Sequence, residues 1–289
     1  MKHTILPLFI AAALMTACGG KNKPNEESKP QDSLQEPLME SVSMVKEFRT
    51  FTVSDCLCFV VNEPDPFEPE YATTGVKDEF SIAWPETGMM TDRAMKELMS
   101  HYFGPDASID IKRAVNNWRQ KTIAEYGNPV KKIDENRSFS YSEMNSTCRQ
   151  DSNLATFIIN YGNYNIGAAH GMYALQYVTV DVESGDIIHL QDLIDTTRLG
   201  YAVARAIQDL DVNSDTRDCL FDEYQNVNVM PVNPNVFIDS TRSSINVVYD
   251  LYEITPYCCG IQTVSLPVRW LTRYITLTPY AKRLFGLAN

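Results

Sequence analysis

The 289-residue chain is 44% hydrophobic and 21% charged, the balance of an ordinary globular protein. That length exceeds the usual single domain and predicts one large domain or two modest ones. A net charge of −12 argues against a nucleic-acid partner, because a phosphate backbone is bound by a basic surface; such a charge draws a cationic partner instead.

Lys2 and His3 precede an apolar run from Ile5 to Met15, too short to cross a bilayer as a finished helix. The run ends in Leu14-Met15-Thr16-Ala17-Cys18, which resembles the lipobox of bacterial lipoproteins, with Met15 where leucine is usual. By that resemblance residues 1–17 are a signal peptide, and Cys18 becomes the acylated first residue that attaches the protein to a membrane. The competing reading is a plain secretory signal with an incidental cysteine. Removing residues 1–17 takes away one lysine and no acid, which moves the net charge from −12 to −13. Neither an aspartate beside the cysteine nor an acidic run follows it. The expected address is therefore the bacterial cell envelope, at the periplasmic face of the outer membrane. Residues 18–46 are rich in Lys, Glu, Ser, Pro and Gln and lack aromatic side chains. They read as a disordered tether with a reach of about 30 Å.

Globular sequence starts near Phe48. Phe51 to Val61 reads as a strand, followed by a Pro- and Asp-rich loop at 63–69 and a short strand from Glu79 to Trp84. Thr91 is placed to cap a helix with Met95, Leu98, Met99 and Tyr102 on one face, stopped by Gly104-Pro105. Ser108 is the expected cap of a second helix, striped by Ile111, Val115, Trp118 and Thr122 and stopped by Gly127. Two consecutive helices between strands point to α+β rather than βαβ alternation. Ser138 to Cys148 reads as a polar edge strand. Next come a strand from Leu154, with Ala155, Phe157, Ile159 and Tyr161 on one face, and the loop Gly167-Ala168-Ala169-His170-Gly171. A second long strand, Met172 to Glu183, completes a hairpin. After the turn at Ser184-Gly185-Asp186, His189 alternates within a short apolar strand. Asp195, Thr196 or Thr197 caps a helix whose stripe of Leu199, Val203, Ile207 and Leu210 requires docking on a sheet. Val212 to Pro234 reads as a long polar connection. Strands are expected at Ser243 to Tyr252 and Ile261 to Leu266, and a short helical stretch opens at Pro267. The reading is an α+β fold of two sub-domains, mainly antiparallel, with helices packed on one face of the sheet.

Two segments in this order carry a family resemblance. One runs from Tyr161-Gly162 through Gly167-Ala168-Ala169-His170-Gly171 to Tyr177, Asp181, Gly185 and Leu190-Gln191-Asp192-Leu193. The other is Tyr252-Glu253-Ile254-Thr255-Pro256-Tyr257, Gly260 and Val264-Ser265-Leu266-Pro267. Together they resemble the PdaC/RsiV-like extracytoplasmic domain, a domain of unknown function in bacterial envelope proteins. The resemblance assigns residues 153–289 to that domain and 47–152 to the companion α+β region that precedes it. In the polysaccharide deacetylase of that family, catalysis sits in a separate metal-dependent domain, whose motif is absent here. In its anti-sigma factors the domain lies outside the membrane and binds lysozyme. Neither their spanning helix nor their cytoplasmic part is expected in this chain. What the resemblance implies is a binding or sensing module, non-catalytic, for a cell-wall glycan such as peptidoglycan or a cationic protein such as lysozyme. The alternative is an enzyme, or enzyme accessory, acting on cell-wall polysaccharide. Cys258-Cys259 departs from the small residues that usually follow the Pro-Tyr pair.

The candidate binding loop comprises Gly167, His170, Gly171 and Tyr257. Glycines on both sides of His170 let a ligand or backbone approach; the blander reading is that they supply unusual dihedrals and His170 bonds a nearby carbonyl. On the dihedral reading, Gly171→Val damages folding more than His170→Ala, since β-branched residues tolerate positive φ poorly. No His-x-x-x-His, Cys-x-x-Cys or phosphate-cradling glycine loop occurs, so no metal and no other cofactor is expected. No residue is assigned as catalytic. Beyond Cys18 stand Cys56, Cys58, Cys148, Cys219, Cys258 and Cys259. An even number in an oxidising compartment favours disulfides but permits 15 full connectivities, and three bridges, one or none remain open. Cys56 and Cys58 share a strand face, and neighbours Cys258 and Cys259 would form a strained ring.

Overall fold

The protein is described here as a computed structural model covering residues 45–61, 74–131 and 139–287. The expected signal segment 1–17, Cys18, nearly all of the expected 18–46 tether and the expected 63–69 loop lie outside the described residues. The fold is α+β, with two sheets and two hydrophobic cores that make two sub-domains.

The first sheet contains β1 (Thr50–Val61), β2 (Thr74–Pro85), β3 (Phe139–Asp151), β4 (Leu154–Tyr164) and β5 (Met172–Asp181), in that spatial order. All neighbours are antiparallel except β2 and β3, which run parallel. A parallel pair needs a crossover, and α1 (Asp92–Phe103) with α2 (Ile111–Tyr126) supplies it. The two helices cover one face. Leu98, Met99 and Tyr102 of α1 are buried with Phe80, Ile82, Phe157, Ile159, Val178 and Val180 from the strands. Thr91 caps α1 by accepting from the Ala94 N–H at 3.2 Å. The cap of α2 is Asp110 rather than the expected Ser108: its carboxylate accepts from Lys112 and Arg113, while Ser108 accepts the N–H of Asp110 itself. One oxygen of the Asp110 carboxylate thus satisfies two orphan donors of the first turn, and its negative charge suits the helix N-terminus.

The expected edge strand is the middle of this sheet. β3 reads as polar because its inward face is filled by Met144, Ser146, Cys148 and Gln150, and the polar atoms of Ser146 and Gln150 have partners. Ser146 Oγ accepts the Ala83 N–H at 2.8 Å and bonds the Tyr102 hydroxyl at 2.9 Å. Gln150 accepts from Phe48 N–H at 2.7 Å and donates to the carbonyls of Lys46 and Ser152. β2 is also longer than its apolar alternation suggests, reaching back to Thr74. The hairpin of β3 and β4 turns at residues 152–153, so both halves of the sequence contribute to one sheet.

The second sheet orders β6 (Val236–Ile238), β7 (Ser244–Tyr249) and β8 (Gln262–Pro267), all antiparallel. β7 is buried at every position. A four-residue helix, α3 (Leu190–Leu193), precedes α4 (Leu199–Asp209), whose Leu199, Val203 and Ile207 pack on Ile245, Val247, Val264 and Leu266. Each such side chain stabilises the fold by about 1.5–3 kcal/mol. His189 is the N-cap of α3 rather than a strand residue, its own N–H donating to Asp192 Oδ2 at 2.8 Å. The 212–234 connection is partly helical. It contains α5 (Ser214–Cys219), held by Asn213, whose amide donates to the carbonyls of Ala206 and Ser265. Two short helices, α6 (Val268–Leu271) and α7 (Pro279–Leu284), close the chain. Among the described residues, no helix is long and apolar enough to cross a membrane.

β5 joins the two sub-domains through side chains that imitate a strand. Asn235 donates to the Leu175 carbonyl and accepts the Tyr177 N–H at 3.0 Å, and Asp250 accepts the Leu175 N–H at 2.9 Å. These bonds satisfy edge groups that would otherwise remain unpaired.

Candidate functional site

The loop between β4 and β5 is shaped by two glycines with different tasks. Gly167 has φ +84, in the left-handed region where a Cβ is disfavoured. Gly171 is absent from that region, contrary to the dihedral reading of both glycines. A Cβ there would stand 2.9 Å from the Asn163 carbonyl oxygen. Gly171 is therefore small because a backbone oxygen lies against it.

Between these glycines His170 is half-buried. Its ring stacks on Tyr257, with centroids 3.6 Å apart and planes at 19°. Nδ1 lies 3.1 Å from the Gly171 carbonyl, and Nε2 lies 3.1 Å from the Tyr252 hydroxyl. A carbonyl can only accept, so Nδ1 carries the proton and, in the neutral ring, Nε2 accepts from Tyr252. Tyr173, at the start of β5, meets Tyr257 edge-on at 6.1 Å. Tyr173 is 43% exposed and Tyr252 is 48% exposed. Four rings thus form a surface cluster drawn from two segments 82 residues apart.

The second segment is braced from within. Tyr252 has φ +65, a conformation that costs about 1 kcal/mol or more for a residue with a Cβ. Glu253 holds it by accepting from the Asp250 N–H at 2.8 Å and from Asn233 at 2.7 Å. Burial raises the Asp250 carboxyl above its ordinary range, opposed by the Leu175 N–H. Next to Tyr257, Cys259 is disulfide-bonded to Cys219 of α5. Gly260, at φ +72, leaves room for Tyr173, whose hydroxyl would be 3.3 Å from a Cβ.

This arrangement makes a ring surface rather than an acid–base dyad. Among the described residues, His170 has neither a carboxylate nor a thiol at hydrogen-bond distance. Cys56, Cys58, Cys148 and Cys258 are free thiols. Burial pushes Cys148 up to about 12. Burial, followed by Cys58, pushes Cys56 up to about 11. Neither behaves as an activated nucleophile, which requires a lowered value.

Sequence reasoning missed a second cluster. Glu97, His101 and His189 line a cavity of about 280 Å³ between α1 and β5. His189 Nε2 lies 3.3 Å from Glu97 Oε2. Burial lowers the His101 value, Glu97 opposing and His189 reinforcing. The larger cavity, about 450 Å³, is lined by Asp181, Asp186, Asp192 and Tyr280. Its carboxylates are already used: Asp181 accepts from Tyr280, Asp186 from Thr91, and Asp192 from His189. No group of three or more His, Cys, Asp or Glu among the described residues is arranged to hold a metal ion.

No family model matches the chain, and no curated protein matches it. Solved structures do. A DUF3298 protein from Pseudomonas aeruginosa PAO1 aligns at 14% identity and TM-score 0.49, over 82% of this chain and 97% of that one. A DUF3298 member from Bacteroides fragilis NCTC 9343 aligns at 18% identity and TM-score 0.52, over 83% of this chain and 96% of that one. In keeping with the resemblance to a bacterial domain of unknown function, the chain shares its fold with the Bacteroides fragilis DUF3298 protein.

Proposed function

We propose that this protein is a lipid-anchored component of the bacterial cell envelope that binds a cell-wall glycan without cleaving it. The observation that carries the reading is the exposed cluster of His170, Tyr173, Tyr252 and Tyr257. Ring faces at a surface pack against the C–H faces of sugar rings, while tyrosine hydroxyls bond sugar hydroxyls. Both His170 nitrogens are engaged in holding the cluster, which favours binding over acid–base catalysis. The anchor rests on the lipobox-like Leu14–Cys18, and the periplasmic face of the outer membrane follows from the absence of acidic residues beside Cys18.

A second reading, a cationic protein such as lysozyme as the ligand, is favoured by the net charge of −12. Pull-down of the chain with purified peptidoglycan and with lysozyme, at low and high salt, separates these readings. Peptidoglycan retention that is indifferent to salt and lost in Tyr257→Ala supports the glycan. Lysozyme retention that fades with salt supports the protein partner. Soluble fragments released from peptidoglycan, and lost in His170→Ala, would assign the enzyme alternative. Fatty-acid labelling that persists in Cys18→Ala would remove the anchor.

A further inference from the structure

The ring surface continues from the His170 loop onto the sheet. Strand ladders place Cys56, Glu79, Glu143, Gly162 and Tyr173 in one transverse row, and Cys58, Lys77, Tyr141 and Tyr164 in the next. Alternation turns both rows away from the face that α1 and α2 cover. Gly162 leaves a gap in the first row, and Glu143 lies across it. Its Oε1 is 2.8 Å, and its Cγ 3.0 Å, from where a Cβ of residue 162 would stand. Tyr173 is the next residue beyond that gap. One row along, Tyr141 and Tyr164 stack at 6.0 Å and 29°. The Tyr141 hydroxyl and the Tyr164 Cβ also flank Gly171, at 3.5 and 3.7 Å from its Cβ position. The rings are therefore continuous from Tyr141 and Tyr164 to His170 and Tyr257.

Within this surface the Glu143 carboxylate stands out by its lack of a partner. Nothing donates to it among the described residues, whereas its row neighbour Glu79 is paired with Lys77 at 2.6 Å. A half-buried carboxylate among tyrosine rings, on a chain of charge −12, is complemented by an ammonium. The carboxylate supplies a charge-assisted hydrogen bond, and the rings present their negative faces to a cation. We infer that Glu143, with Tyr141, Tyr164 and Tyr173, forms a subsite for the free ammonium of an amino sugar within the bound glycan. The inference rests on the glycan reading and names the sugar chemistry that this surface selects.

The test compares binding of the full chain to a β-1,4-linked glucosamine oligomer and to the same oligomer fully N-acetylated, by calorimetry. The free-amine oligomer should bind about tenfold more tightly, with the preference disappearing at alkaline pH as the amine loses its proton. Glu143→Gln should reduce its affinity to that of the acetylated oligomer and leave the acetylated oligomer unchanged. Gly162→Ala, which displaces the carboxylate without removing its charge, should weaken the preference while an unchanged melting temperature confirms folding. Equal binding of both oligomers, unaffected by Glu143→Gln, overturns the subsite and leaves the glycan reading standing. Binding of neither overturns the glycan reading itself. Oligolysine bound as tightly as the glucosamine oligomer, and lost in Glu143→Gln, would overturn the sugar assignment in favour of a basic protein.

Discussion

At Gly171 the decisive quantity is the 2.9 Å between a would-be Cβ and the Asn163 oxygen. Gly171→Val should destabilise by about 1–3 kcal/mol through overpacking, which lowers the melting temperature by several degrees. His170→Ala removes a stacked ring and two bonds at a half-exposed position, and its loss should stay near about 1 kcal/mol. Thermal unfolding of the two variants checks that order. Gly200 poses a sharper contest. In a free helix Gly→Ala stabilises by about 1 kcal/mol, but here the added Cβ would meet the Met230 carbonyl oxygen at 2.4 Å. Backbone is poorly able to move, because the Met230 N–H donates to Gly200 at 3.0 Å. Gly200→Ala should therefore destabilise, by about 1–3 kcal/mol in a denaturant titration.

Among the elements, β5 depends on side chains for its outer edge. Asn235→Ala strands the Leu175 carbonyl and the Tyr177 N–H, which should cost about 2 kcal/mol. Hydrogen exchange at the Tyr177 amide should accelerate far more than exchange in β3. Burial of His101 on α1 brings pH dependence. Burial holds His101 below its ordinary 6.5, so the unfolded chain takes up the proton first as pH falls. Its contribution to stability is whole above about 6.5 and is lost below it. His101→Gln should flatten the acid side of the melting-temperature profile between about pH 7 and pH 5. Much of this level was legible beforehand. The α1 cap and the α4 stripe are local patterns, written within one or two turns of helix. The place of β3 was not legible, because Ser146 and Gln150 pass for surface residues until Tyr102, Ala83 and Phe48 are brought to them.

For the molecule as a whole, the Cys219–Cys259 bridge closes a separation of 40 residues and ties the Tyr257 turn to α5. Restricting an unfolded loop of that length is worth about 4 kcal/mol in the chain-entropy picture. Cys219→Ser should therefore lower stability by about 2–4 kcal/mol, and on the proposed glycan reading retention on peptidoglycan should weaken with it. Alkylation of the denatured, unreduced protein should label Cys56, Cys58, Cys148 and Cys258 and spare the bonded pair, as read by mass spectrometry.

The amino-acid sequence alone determined the properties that are sums or short-range repeats. Net charge argued against a nucleic-acid partner, period-two and period-3.6 alternation located the β4–β5 hairpin and α4, and glycine spacing marked the His170 loop. Only the tertiary structure decided which distant residues share a surface. Tyr252 reaches His170 across 82 residues, and Glu143 and Tyr173 share a row only because both pair with Gly162. A strand's alternation states which face each side chain takes, but it carries no record of the neighbouring strand or of the register. Those follow from packing the whole chain at once. For that reason the loop histidine and Tyr257 could be named by reading along the chain, while their stacking, the rings of Tyr173 and Tyr252 and the carboxylate of Glu143 could not.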